Sequence, residues 1–206
     1  LLDEKGDEIF CDCDSIVLEI DMDKEVVKKV LHYAGKYQRK VYAVVANMSI
    51  ASERRDFLHQ IDCFVCNLQE AGILFVDDFS DLTPEAFADV LSERVINAKI
   101  PSMVVTMGSR GCVFADMQGK KGVYEASKVK VKDTTGAGDA FCAGVAAGLT
   151  YGKDLLGAVE IGTRLAASVI TVSENVCPRF LPEELGLQPD LSELQPHFYG
   201  AEDLVK

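Results

Sequence analysis

No run of apolar residues in this sequence approaches the roughly 20 needed to cross a hydrocarbon layer. The opening Leu1-Leu2-Asp3-Glu4-Lys5-Gly6-Asp7-Glu8 lacks the positive-then-apolar order of a secretory signal. Together the two absences exclude a membrane partner at this level and predict a cytoplasmic location. Basic charge is also scarce. The 206 residues carry 21 Lys and Arg against 33 Asp and Glu, a formal charge of -12, which repels a nucleic-acid backbone and excludes that class of partner. A nucleotide is not excluded, because a few backbone N–H groups and one local cation decide such a site. Seven cysteines, at 11, 13, 63, 66, 112, 142 and 177, leave an odd count with no disulfide framework and point to a reducing compartment. His32, His59 and His197 stand apart, so structural roles are expected of them. Two common nucleotide motifs are missing as well. There is no Gly-x-x-x-x-Gly-Lys-Ser/Thr, and Phe141 stands where Gly-x-Gly-x-x-Gly needs its third glycine.

What is present is an alternation of strand and helix patterns. Ser15 to Ile20, Val41 to Val45, Ile61 to Cys66 and Ser102 to Met107 read as short buried strands. Helical patterns at Lys24 to Gln38 and Glu53 to Gln60, and one opened by Thr83 as N-cap with Pro84 at the first position, lie between them. Such alternation predicts an α/β fold with a mostly parallel sheet covered by helices on both faces. Beyond Gly111 the pattern shortens to Cys112–Ala115, Val123–Ala126 and Val129–Val131, with Gly119 and Gly122 as turn signals of an antiparallel hairpin. Two long helices rich in small residues follow, Ala137 to Leu149 and Leu155 to Val172. No internal repeat or linker divides the chain, which predicts a single domain over 1–206 with a less regular tail at 183–206.

The stretch from Val131 through Asp133-Thr134-Thr135-Gly136-Ala137-Gly138-Asp139 to Phe141 passes from an extended run through a turn of small residues into an apolar helix. Glycines at 136 and 138 let the backbone approach a ligand, while the first N–H groups of the helix face it with the positive end of the dipole. Asp139, in the first turn, could take a hydroxyl proton while those N–H groups hold developing phosphoryl charge. Gly and Asp also open many ordinary helices, and Asp139 would then be only a favourable first-turn charge. Cys63-Phe64-Val65-Cys66 has the spacing of a metal pair but no second pair, and it alternates within a strand pattern, so packing is its expected role. Asn47-Met48-Ser49 is a glycosylation sequon by wording alone.

Asp133-Thr134-Thr135-Gly136-Ala137-Gly138-Asp139-Ala140-Phe141-x-Ala143-Gly144 resembles the second signature of the ribokinase-like, or pfkB, carbohydrate kinases. Asn67-Leu68-Gln69-Glu70-Ala71 and Thr106-Met107-Gly108-Ser109-Arg110-Gly111 agree with that family in order and spacing, so the resemblance runs from about Ser15 to Pro182. It implies a three-layer ribokinase-like fold and transfer of the γ-phosphate of ATP to a hydroxyl of a sugar or nucleoside. By the same resemblance Asp139 is the base, and the N–H groups of Gly136, Ala137 and Gly138 hold the phosphoryl group. Asn67 and Glu70 would lie near Mg2+, largely through water. Thr106, Gly108 and Gly111 would lie along the nucleotide. Asp133 and Thr135 match a K+ site whose remaining loop, Ser173-Glu174-Asn175-Val176-Cys177-Pro178, departs from the usual Gly-Ala wording and leans toward pseudouridine-kinase-like members.

The family's N-terminal strands, acceptor-binding segments and lid have no counterpart here, and Leu1 to Cys13 is expected to be the remainder of a lid strand. That loss leaves a sheet edge for a second copy to cover in a homo-oligomer. It also keeps open the alternative of a catalytically silent nucleotide-binding or assembly module.

Overall fold

The computed structural model describes residues 1–45, 53–172 and 180–188. Six strands form one sheet in sequence order: β1 (Ser15–Glu19), β2 (Lys40–Val44), β3 (Cys63–Asn67), β4 (Ser102–Thr106), β5 (Cys112–Asp116) and β6 (Lys121–Tyr124). The first four run parallel, β5 returns antiparallel to β4, and β6 runs antiparallel to β5. Parallel neighbours need crossovers. These are α2 (Lys24–Tyr37) between β1 and β2, the short α3 (Arg55–Leu58) between β2 and β3, and α4 (Leu68–Phe75) with α5 (Pro84–Ala98) between β3 and β4.

Both faces of the central strands are apolar, as a sheet enclosed by helices requires. Phe64, Cys66, Met103 and Val105 face a layer made by Val27 and Leu31 of α2, Ala71 and Leu74 of α4, and Phe87, Leu91 and Val95 of α5. Cys63, Val65, Val104 and Phe114 face the opposite way, against α6 (Ala137–Thr150) and α7 (Leu155–Ile170), through Phe141, Val145, Ala158 and Val159. The result is the expected three layers. It also disposes of the Cys63/Cys66 pair, since the two thiols lie on opposite faces of β3 and cannot share a metal. On β1 the second face is open, with Val17 62% exposed.

Local chemistry sets the helix ends. The Asp23 carboxylate accepts from the N–H groups of Glu25 and Val26 to start α2, Thr83 caps α5 ahead of Pro84, and Asp154 caps α7 through Gly157 N–H. Helices α6 and α7 pack backbone to backbone. There a Cβ on Gly144 would lie 2.6 Å from Gly162 Cα, and one on Gly148 would lie 2.7 Å from Ala158 Cα.

Two expectations are corrected. Leu1 to Cys13 is no strand but carries helix α1 (Leu2–Cys11), because Leu2, Gly6 and Phe10 recur every four residues and form one face against α2. Phe10 stacks on Tyr33 at 5.3 Å, and Arg39 donates to the carbonyls of Phe10 and Cys11 at the helix end. Ion pairs Asp3–Lys29 and Asp7–Lys36 hold the outer face. Val129–Val131 forms no strand either. Its alternation is real but unpaired, with Val131 53% exposed and Lys132 N–H bonded to the Ile170 carbonyl. The 173–178 loop, the Asn47 sequon and the tail from 189 onward lie outside the described residues. Among those that are described, no helix is long and apolar enough to cross a membrane.

Candidate active site

In open α/β sheets ligands bind beyond the carboxyl ends of the strands, and the sequence-predicted residues gather there. Asn67 ends β3 and Thr106 ends β4, and the two are register partners. Thr106 Oγ1 donates to the Cys66 carbonyl at 3.4 Å. Asn67 is also the N-cap of α4. Its Oδ1 accepts from Glu70 N–H at 2.9 Å, and Glu70 Oε2 accepts from Asn67 N–H at 2.7 Å. This reciprocal capping box explains the Asn-x-x-Glu spacing without any ligand, yet it leaves Asn67 Nδ2 and Glu70 Oε1 without a partner among the described residues.

After β4 the chain makes a tight turn, Met107 to Gly111. Gly108 and Gly111 take φ of +61° and +87°, and Met107 N–H closes the turn on the Gly111 carbonyl at 2.8 Å. Glycine is obligatory at 111, where a Cβ would meet the Tyr124 carbonyl at 2.0 Å. Nothing lies near a Cβ placed on Gly108, so that side of the turn is open.

The third component is the start of α6. Gly136, with φ +79°, reverses the chain as the N-cap and supplies no side chain to satisfy the first N–H groups. Ala137 N–H is taken by the Thr134 carbonyl at 3.2 Å. The N–H groups of Gly136 and Gly138 have no protein partner among the described residues. A Cβ on Gly138 would meet nothing within 4 Å. The predicted three-donor cradle is therefore open at Gly136 and Gly138, while the third donor holds the turn itself. Just upstream, Asp133 Oδ1 accepts from Thr135 N–H at 2.9 Å and Thr135 Oγ1 at 2.8 Å, which holds its carboxyl below the usual range. These two residues thus partner each other.

Asp139 is exposed in the first turn of α6, and Cys142 follows one turn later. Burial pushes the Cys142 thiol up to about 12, with Cys63, Asp139 and Glu70 adding to the rise. Burial likewise raises the Cys66 thiol, again with Glu70 and Cys142 contributing. Two carboxylates from distant parts of the sequence, Glu70 and Asp139, thus both disfavour the thiolate of one half-buried cysteine. The sequence reading passed over Cys142, although its i+3 spacing from Asp139 puts both on one helix face.

No group of three metal-ligating side chains gathers among the described residues, so a cage made by protein alone is absent there. One or two carboxylates are what Mg2+ uses when phosphates and water complete its shell, and Glu70, with Oε2 on the Asn67 N–H and Oε1 unpartnered among the described residues, fits that pattern. An open groove between α4 and the following loop, lined by Leu68, Gly72, Ile73, Val76 and Phe79, contains none of the candidate residues.

Comparison with known proteins identifies the family. The model of the pfkB family carbohydrate kinases matches residues 10–177. The chain is 32% identical over 163 residues to guanosine-inosine kinase of Exiguobacterium acetylicum, covering 79% of this chain and 53% of that protein. It is 26% identical over 174 residues to ribokinase of Schizosaccharomyces pombe, covering 84% and 53% respectively. In structure it is similar to Arabidopsis thaliana ribokinase complexed with ribose and ATP, with a TM-score of 0.73 at 20% identity, covering 91% of this chain and 56% of that one. The chain spans about half the length of the curated relatives it matches. On its own signature residues and on the extent of the match, this chain belongs to the pfkB family of carbohydrate kinases.

Proposed function

We propose that the chain forms, as one ribokinase-like unit, the nucleotide-binding and phosphoryl-transfer part of an ATP-dependent kinase acting on a hydroxyl of a sugar or nucleoside. The observation that carries this reading is the turn that opens α6, where the N–H groups of Gly136 and Gly138 have no partner among the described residues and Asp139 lies in the helix's first turn.

In this reading Asp139 accepts the acceptor's hydroxyl proton as that oxygen bonds to the γ-phosphorus. The bond from phosphorus to the β-bridging oxygen breaks, and ADP leaves with the electron pair. Gly136 and Gly138 N–H groups meet the charge on the transferring group, and Ala137 keeps the turn that aims them. Thr106, Gly108 and Gly111 form the nucleotide subsite. Bound Mg2+ supplies charge compensation at the phosphates, with Glu70 Oε1 and Asn67 as its protein partners, largely through water. Asp133 and Thr135 remain the place for K+, whose binding would have to compete with their mutual hydrogen bonds. The relative named guanosine-inosine kinase supports a nucleoside acceptor. The cysteine pattern supports a reducing, cytoplasmic setting.

The test is Asp139→Asn. The amide keeps the shape but cannot take the proton, so phosphoryl transfer should fall by about 10²–10⁴-fold while the stabilisation by Mg·ATP persists. Full transfer activity in the variant would refute Asp139 as base. Absence of any ATP-induced shift in the unmodified chain would refute the nucleotide site.

A further inference from the structure

Arg110 lies in the Met107–Gly111 turn, where an arginine is the obvious candidate for a phosphate cation. Its geometry points elsewhere. Nη1 donates to the carbonyls of Leu82 at 3.0 Å and Ser80 at 3.3 Å, in the loop that leads into α5. That loop is fixed in its own right. Ser80 N–H donates to Asp78 Oδ1 at 2.9 Å, Leu82 N–H to the Phe79 carbonyl at 3.2 Å, and Asp77 pairs with Arg94 of α5 at 2.6 Å. Phe79 is buried against Phe87, with ring centroids 4.9 Å apart, in the helical layer on the opposite face of the sheet from α6. The guanidinium therefore reaches away from Gly136–Gly138 and toward a rigid anchor. At the near end the turn's own bonds, Met107 N–H to the Gly111 carbonyl at 2.8 Å and Arg110 N–H to the Met107 carbonyl at 3.2 Å, fix its local shape, while the Arg110 side chain fixes where that turn stands against the loop before α5.

We propose that Arg110 is a positioning residue: it ties the Met107–Gly111 turn to the Ser80–Leu82 loop and so holds the nucleotide subsite in its receptive shape, without itself contacting phosphate. This rests on the reading of that turn as part of the nucleotide site. A residue that shapes the turn affects every adenine nucleotide alike. One that pairs with phosphate affects ATP most and AMP least, and contributes to the salt dependence.

The experiment compares Arg110→Ala, Arg110→Lys and the unmodified chain by titration calorimetry with ATP, ADP and AMP at two ionic strengths. The expected result is a loss in Arg110→Ala of about tenfold, the scale of a hydrogen bond from a charged group, equal for the three nucleotides. The salt dependence of ATP binding should be unchanged, and Arg110→Lys, which can still donate to a carbonyl, should recover part of the loss. A loss that grows from AMP to ATP with a weaker salt dependence would overturn the inference in favour of a phosphate contact. Unchanged affinities in Arg110→Ala would overturn it outright. If the unmodified chain melts cooperatively but binds none of the three, the nucleotide reading itself fails and the inference with it.

Discussion

Gly144→Ala is the sharpest probe of how the site is held. Gly144 is in the middle of α6, where alanine would ordinarily raise helix stability by about 1 kcal/mol. Here the added Cβ would lie 2.6 Å from Gly162 Cα, 2.8 Å from Gly162 N and 3.0 Å from Ile161 C. All three are backbone atoms of α7, so no side-chain rotation relieves the clash. Ordinary contact begins near 3.4 Å, which means that α6 and α7 must separate by about 0.8 Å. Overpacking of this kind costs about 1–3 kcal/mol and loosens the layer that packs Val145 and Ala158 onto the sheet. Because the clash is against backbone, the upper part of that range applies, and a net loss of about 1–2 kcal/mol should remain after the propensity gain. For a chain of this size that is a fall of about 2–8 °C in thermal midpoint. The loss should appear in reversible calorimetry and, at matched temperature, in a lower denaturant midpoint with unchanged m. A midpoint equal to or above that of the unmodified chain would refute the close backbone contact and the helix placement drawn from it.

Gly138→Ala should behave in the opposite way. Its Cβ meets nothing within 4 Å, so stability should stay within about 0.5 kcal/mol of the original. The methyl group stands beside the open N–H groups, however, and the stabilisation by Mg·ATP should largely disappear; an intact ATP-induced shift would exclude Gly138 from the anion cradle. A pH effect should arise at the start of α7. The Lys120 ammonium at 2.7 Å, and after it the Gly157 N–H, hold the Asp154 carboxyl below its ordinary 3.8. With the folded value depressed, its contribution is complete above about pH 4 and is lost as pH falls through the folded value. Protection of the first-turn amides of α7, taken relative to the intrinsic exchange rate at each pH, should therefore fall on acidification below about pH 4, and Asp154→Asn should flatten that response. An equal acid response in the variant would assign the effect to other carboxylates.

Much of the sheet was legible because period-two and apolar signals are strong where strands are enclosed on both faces, as at Cys63 to Asn67 and Ser102 to Thr106. The helix start at Thr83-Pro84 could be read for a similar reason, since a cap is a local interaction. What escaped was decided by neighbours. Helix α1 owes its form to Tyr33 and Arg39 of a later segment. Lys128 to Lys132 alternates like a strand but finds no partner strand among the described residues. At the site, glycines 108, 111, 136 and 138 announced tight backbone. That the Ala137 N–H would be spent on Thr134, or Arg110 on Ser80 and Leu82, depends on loop geometry that residue spacing does not encode.

The capping box of α4 has a bearing on ion selectivity. With Oε2 of Glu70 committed to the Asn67 N–H, the carboxylate can offer a visiting cation one oxygen only, unless the helix gives up its first-turn bond. Monodentate supply suits a small ion that keeps most of its own water and demands octahedral order, and it handicaps Ca2+, which favours bidentate carboxylates and higher coordination numbers. In the proposed Mg2+ site a helix-starting contact would thereby favour one-oxygen supply, so that discrimination between two divalent ions would follow from how a backbone amide is satisfied.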